Sequence, residues 1–300
     1  MPDIAVIIVN WNAREDLRQC LARLFAAPAP RGQWGVWVVD NASGDGSAEM
    51  VAEEFAGARL IANPDNRGFS RANNQAIRAA CDAGYRYVYL LNSDAFLRSP
   101  ADLDQLVAFG DSHPKAGVFG TMVLNTDGTL QYSCRRFPTL GAGFFRNTLL
   151  GRLFPKNRYA VQYLMGDVDH ARERTVDWVS GCSMVIRREM IDRIGSLDEE
   201  FFMYCEDVDL CQRAWDAGWE VWYDPDAQVV HKIGASSDKN AEAMIWEFHR
   251  SWELYDRKHN PGFRPLRRLA VHVGLWLRAR VRIANRNRAL RRLKREGKTA

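Results

Sequence analysis

Residues 201–213, Phe-Phe-Met-Tyr-Cys-Glu-Asp-Val-Asp-Leu-Cys-Gln-Arg, set three carboxylates, Glu206, Asp207 and Asp209, inside an apolar and aromatic run. A carboxylate beside Phe201, Phe202, Met203 and Tyr204 loses solvation, which raises its pKa and suits it to accept a proton. Burying such a cluster is costly unless it meets a cation, a sugar hydroxyl or a basic side chain. The same acids would also be favoured simply by the dipole of a helix starting there.

Other residues with usable chemistry fall where apolar runs stop. Asp40 closes one run and precedes a Gly- and Ser-rich turn, so it either accepts hydrogen bonds from a base or ribose or terminates the strand as an Asx-turn. Leu90-Leu91-Asn92-Ser93-Asp94 puts an amide and a carboxylate two residues apart. Strand alternation would aim both the same way, toward one divalent cation whose shell phosphate oxygens and water complete. His231 ends Gln228-Val229-Val230 and offers an imidazole for metal or phosphate, or a strand-end residue without a role. Asp177-Trp178-Val179-Ser180-Gly181-Cys182 joins an aromatic face to a small-residue turn. That combination suits a stacked sugar ring and close backbone approach, and equally a core Trp beside a bulge.

The elements that must position these residues alternate. Ile4–Val9, Gly35–Val39, Arg59–Ala62, Tyr87–Leu91 and Gly117–Gly120 have the apolar character of strands, and amphipathic helices are expected near 14–26, 47–56, 70–83 and 101–112. Ser47, Ser70 and Ser99-Pro100 supply helix-start signals. Strands alternating with helices predict an α/β fold with a mostly parallel, Rossmann-like sheet, which binds ligands beyond the carboxyl ends of its strands. Four successive strand ends are polar: Asn10-Trp11-Asn12, Asp40–Ser47, Asn63–Ser70 and Asn92-Ser93-Asp94. No GxGxxG follows the first strand, which disfavours a dinucleotide cofactor. Beyond residue 120 the pattern predicts a hairpin around Asn125–Thr129, a loop or small helical insertion over 135–174, helices near 188–194, 206–217 and 240–259, and strands at 219–223 and 228–231.

In this order the motifs resemble those of family 2 glycosyltransferases of the GT-A fold, the rhamnosyltransferase-like members in particular. The matching segments are Val6–Asn12, Val39–Ser43, Asn66–Phe69 with Asn73-Asn74, Leu91–Asp94, Val179–Cys182, Glu206–Leu210 with Arg213 and Gly218-Trp219, and His231. The resemblance spans about residues 4–232. It implies an inverting transfer from a nucleoside-diphosphate sugar, such as dTDP-rhamnose, to a hydroxyl of a cell-envelope or polysaccharide acceptor, in some cases lipid-linked. It implies Asp207 as general base, and a donor site from Asn10, Asn12, Asp40, Asn41, Arg67, Asn73, Asn92 and Asp94. Mg²⁺ or Mn²⁺ would be held by Asp94 and His231, and the acceptor by Trp178, Gly181, Cys182, Glu206 and Asp209. Asn92 stands where the family's metal motif often has its first Asp, which would weaken coordination.

Bulk properties bound the rest. Three hundred residues, 47% hydrophobic, with a mean hydropathy of −0.34, describe an ordinary globular chain. Six cysteines without paired spacing predict free thiols and a cytoplasmic setting, and the N-terminus lacks the pattern of a signal peptide or membrane span. The net charge of +4 hides an asymmetry. Residues 264–300 carry eleven Arg and two Lys against one Glu, a balance of +12, so residues 1–263 sum to −8. We expect a transferase domain over 1–260, its nucleotide-binding half at 1–120 and its acceptor-binding half at 121–260, followed by a basic amphipathic helical tail over 261–300. Such a tail with Trp276 suits an anionic membrane surface at the inner face of the cell membrane; nucleic-acid binding and a solvated tail are the competing readings. Two other functions fit parts of the pattern. A sugar-phosphate nucleotidyltransferase would want a Gly-rich basic loop after the first strand, and a noncatalytic carbohydrate-binding module would tolerate loss of Asp207.

Overall fold

The structure, a computed structural model, describes residues 1–26, 29–139, 157–232, 241–260, 262 and 265–295. Its first part follows the predicted alternation: β1 (Ile4–Asn10), α1 (Arg14–Leu24), β2 (Trp34–Asp40), α2 (Ser47–Glu54), β3 (Ala58–Ala62), α3 (Gly68–Asp82), β4 (Tyr87–Leu91), β5 (Ala95–Leu97) and α4 (Asp102–Ser112). Then come β6 (Ala116–Leu124), β7 (Leu130–Gln131), β8 (Cys134–Arg135), α5 (Arg158–Tyr163), β9 (Arg174–Thr175), β10 (Trp178–Val179), β11 (Ser183–Arg187) and α6 (Arg188–Ile194). The chain closes with α7 (Glu206–Asp216), β12 (Glu220–His231), α8 (Ala241–His259) and α9 (Pro265–Arg295).

The main sheet runs β3-β2-β1-β4-β11-β6-β12-β5. Strands β3, β2, β1 and β4 are parallel, β11 is antiparallel between β4 and β6, and β12 is parallel to β6. Side chains of β1 alternate between two cores, as the period of a strand requires. Ile4, Val6 and Ile8 pack with Leu17, Leu21 and Met50 of α1 and α2, while Ala5 and Ile7 pack with Ala76 and Ile77 of α3. Burial on both faces explains why β1 is almost uniformly apolar.

Several elements depart from expectation. The three-residue β5 was absent from the predicted pattern, because the chain turns straight into it at Asn92-Ser93-Asp94, where the Ala95 amide donates to the Asn92 carbonyl. Asn92 and Asp94 therefore sit in a turn beyond β4 rather than alternating along it. Residues 219–223 and 228–231 form one strand, β12, interrupted by an irregularity between Asp224 and Gln228. Ser70 lies inside α3 rather than capping it, since the helix starts at Gly68. Ser47 is the first residue of α2, and its hydroxyl donates to Asp45. The expected hairpin joins β6 to β7, with the Asn125 amide donating to Thr129 O at 2.8 Å. Within 135–174 the described residues hold the end of β8, α5 and the start of β9, and residues 140–156 lie outside them. The described part of the tail, from Pro265 to Arg295, forms a single long helix, α9.

The β12 irregularity leaves Asp224 buried, with one oxygen accepting from the Asp226 amide and Oδ2 without a partner among the described residues. Burial pushes its carboxyl up to about 6. A carboxyl raised in the fold favours folding when protonated and opposes it when ionised, so its cost grows as pH climbs from about 4 to 6. Asp224→Asn should therefore melt higher than the wild type at pH 7, by a difference of up to about 3 kcal/mol. That gain should vanish near pH 4, and thermal melts across this range measure it.

Candidate active site

The sheet's carboxyl edge opens into a crevice of about 440 Å³. On one wall lie Asn41, Asn66, Asn92, Ser93 and Asp94, and on another Ser180, Gly181, Cys182, Glu206 and Asp207. Met244, Phe248 and Trp252 of α8 close the third side.

The acid cluster does begin a helix. Glu206 and Asp207 stand in the first turn of α7, directly after Tyr204 and Cys205, whose φ angles of 71° and 65° are left-handed. Asp207 is half-buried; its Oδ2 accepts from the Gly181 amide at 3.0 Å and its Oδ1 from its neighbour Val208's amide at 2.8 Å. Burial raises its pKa, and those two amides oppose the rise. Glu206 is buried, with Oε2 lacking a partner among the described residues, and its carboxyl is pushed well up by burial and then by the charge of Asp207. Asp207 thus remains the better acceptor of a proton, beside a carboxyl that favours its neutral form.

In the same crevice, His231 Nε2 lies 3.3 Å from Asp94 Oδ1. His231 Nδ1 faces Gln131 Oε1 at 2.7 Å, and the Gln131 amide donates to Asn125. Gln131 Oε1 accepts from Nδ1 and so orients the ring with Nε2 toward the carboxylate. Asn92 adds an amide beside them. No group of three His, Cys, Asp or Glu side chains with metal-site geometry occurs among the described residues. An imidazole and one carboxylate nevertheless fit a Mg²⁺ or Mn²⁺ that takes most of its ligands from phosphate and water.

A family model for Glycosyl transferase family 2 matches residues 5–195. The chain belongs to this family. It is 30% identical to the N-acetylglucosaminyl-diphospho-decaprenol L-rhamnosyltransferase of Mycobacterium tuberculosis, over 97% of this chain and 96% of that protein. The rhamnosyltransferase WbbL of Escherichia coli K12 is also 30% identical, with 85% of this chain and 93% of that protein covered. Among solved structures, the Pyrobaculum calidifontis mannosyltransferase PcManGT, in complex with GDP-Man and Mn2+, superposes with a TM-score of 0.58 at 18% identity. That match covers 97% of this chain and 82% of the mannosyltransferase, and the glycosyltransferase therefore has the GT-A fold.

In this glycosyltransferase the expected site residues divide by position. Asn41, Asn92, Asp94, Trp178, Gly181, Cys182, Glu206, Asp207 and His231 all line the crevice. Asn10, Asn12 and Asp40 lie behind it as a bonded frame: Asn10 Nδ2 donates to Asp40 at 3.1 Å, and the amide of Gly44 donates to Asn12 at 2.7 Å. Asn73 is buried in α3, its amide donating to Phe69 O, and Arg67 points to Asp65. Trp178 is buried with the Arg135 guanidinium over its ring, so the crevice meets the cation as well as the indole. Asp209 is sealed off entirely, paired with Arg213 at 2.7 Å, Lys258 at 2.7 Å and His259 at 2.8 Å. These partners take its carboxyl down to about 2 against the opposing pull of burial. Asp209, expected on the acceptor side, is absent from the crevice lining and ties α7 to the end of α8.

Sequence reasoning missed Gln131, Arg135 and the α8 wall. Gln131 and Arg135 stand in two-residue strands with no periodic signal. The α8 residues Met244, Phe248 and Trp252 recur every four positions, a pattern that marks a helix face without saying what it faces. Removing one member of a buried ion cluster leaves the others uncompensated, so Asp209→Ala should lower stability by about 3–5 kcal/mol. Urea unfolding at neutral pH checks this value.

Proposed function

We propose that this glycosyltransferase moves a deoxyhexose, rhamnose in the leading case, from a nucleoside-diphosphate donor to a sugar hydroxyl of a diphospho-lipid acceptor, with inversion. The observation that carries this reading is the occurrence, in one crevice, of Asp207 held by two amides and of the Asp94–His231 pair. The full-length similarity to a diphospho-decaprenol rhamnosyltransferase supports the donor and acceptor classes.

Asp207 takes the proton of the acceptor hydroxyl as its oxygen attacks the anomeric carbon. The bond from that carbon to the diphosphate breaks on the opposite face, and its electron pair leaves with the diphosphate. Asp94 and His231, with Asn92 beside them, would hold a divalent cation, which would supply neutralisation of that departing charge. Asn41, whose amide donates to Asn66 and Gly68 and accepts from Asn63 and Arg67, fixes the loop after β3 beside the nucleoside, and Asp40, Asn10 and Asn12 keep that strand end in place. Glu206, in its neutral form, contributes a hydroxyl-recognising group to the acceptor side.

Helix α9 completes the proposal. Leu266, Leu269, Val273, Trp276, Leu277 and Val281 are exposed along it among many arginines. No helix among the described residues is long and apolar enough to cross a membrane. An exposed apolar stripe flanked by cations suits the surface of an anionic bilayer, where a lipid-linked acceptor resides.

Asp207→Asn should lower transfer by about 10²–10⁴-fold in a radiolabelled nucleotide-sugar assay. Undiminished transfer would remove Asp207 as base. With its pKa raised, the wild-type kcat/KM should fall on acidification at a higher pH than the value of about 4 typical of an exposed carboxylate. EDTA should abolish transfer and Mg²⁺ or Mn²⁺ restore it, while His231→Ala should raise the metal concentration required. Truncation after residue 262 should end sedimentation with anionic liposomes; unchanged sedimentation would refute the membrane role of α9.

A further inference from the structure

Arg135 is the one arginine on the crevice wall among the described residues. It stands in β8, paired in register with Trp178 of β10, and its guanidinium rests 5.0 Å from the indole centroid. Its Nε and Nη2 donate to the Tyr132 carbonyl, a neutral acceptor, and no carboxylate lies within ion-pair distance among the described residues. Other arginines are neutralised: Arg18, Arg86, Arg213 and Arg267 each hold a carboxylate at 2.5–2.7 Å. A guanidinium without a carboxylate partner, fixed by an aromatic face and opening on a crevice, has donor capacity left for an incoming anion.

Its position tells which anion. The β8–β10 ladder carries Arg135 on the same wall as Gly181, whose amide holds Asp207. Its charge acts on Asp207 and Cys182, favouring their ionised forms. In the proposed transfer the donor's diphosphate already has the Asp94–His231 pair, at the turn after β4 and the end of β12, whereas Arg135 stands in the β8–β10 ladder. We propose that Arg135 is the acceptor-side anion subsite, binding the phosphate of an acceptor whose sugar hydroxyl lies at Asp207. This rests on reading the crevice as a transfer site. It adds a determinant of acceptor class: a sugar carrying an anionic phosphate linkage is favoured over the same sugar in a neutral glycoside. A planar guanidinium suits a phosphate through two parallel hydrogen bonds, which a lysine would supply only as a point charge.

The test compares equilibrium binding of two probes to the full chain without donor. One is N-acetylglucosaminyl diphosphate bearing a short alkyl chain, and the other is octyl N-acetylglucosaminide. Arg135→Gln should weaken the diphosphate probe roughly ten- to a hundredfold and leave the octyl glycoside unchanged. Arg135→Lys should fall between, and its melting temperature controls for folding. In turnover, Arg135→Gln should raise KM for the diphosphate acceptor and leave the donor KM as it was. An equal loss for both probes would make Arg135 a structural cover for Trp178 and overturn the proposal. A raised donor KM with acceptor binding intact would overturn it too, assigning the guanidinium to the leaving diphosphate. If the wild type prefers the diphosphate probe yet transfers no sugar, the subsite stands and the transfer reading fails.

Discussion

Tyr204 and Cys205 adopt left-handed backbone angles in succession, a conformation that costs about 1–3 kcal/mol apiece in residues other than glycine. The placement of Glu206 and Asp207 at the crevice depends on holding that stretch in place. Two contacts do so. Ser251 of α8 donates to Met203 O at 2.8 Å, and the Phe69 amide of α3 donates to Phe202 O at 2.6 Å. The second contact requires glycine at 68: its φ is +78°, and a Cβ there would sit 2.5 Å from the Phe202 carbonyl. The start of α3 and the start of α7 are thus locked together through one loop, with α8 as the outer brace.

The Asp209 cluster serves the same end from below. Lys258 and His259 reach it from the last turn of α8, and Arg213 from the next turn of α7. Because α8 also packs along α9, the brace behind Asp207 continues into the helix that bears the exposed apolar stripe. Arg282 of α9 lies over the ring of Phe248, itself on the crevice wall.

What the sequence disclosed followed from local physics. Strand ends in a parallel sheet gather at one edge, so Asn41, Asp94 and His231 could be placed there from their positions after apolar runs. A helix starting at an acid cluster could likewise be expected at Glu206. Asp209 could not be told from Asp207 in that way, because its partners Lys258 and His259 lie about fifty residues further on and only the packing of α8 brings them in. Asn10, Asn12 and Asp40 were legible as strand-end residues, yet the hydrogen bonds that tie them together through Ser43 and Gly44, and withdraw them from the crevice, depend on the geometry of the turn after β2. Arg135 and Gln131 sit in strands too short for any periodicity, and their roles arise from ladders to distant partners.

The antiparallel insertion of β11 bears on the chemistry in a further way. Parallel strands such as β1 and β4 reach the crevice with their carboxyl ends, and so with a surplus of carbonyl oxygens. Strand β11 arrives reversed, and in the segment entering it Gly181 turns its N–H to Asp207 at the same edge. One turned strand therefore gives a rim of backbone acceptors a backbone donor, and that donor orients the carboxylate at the head of α7.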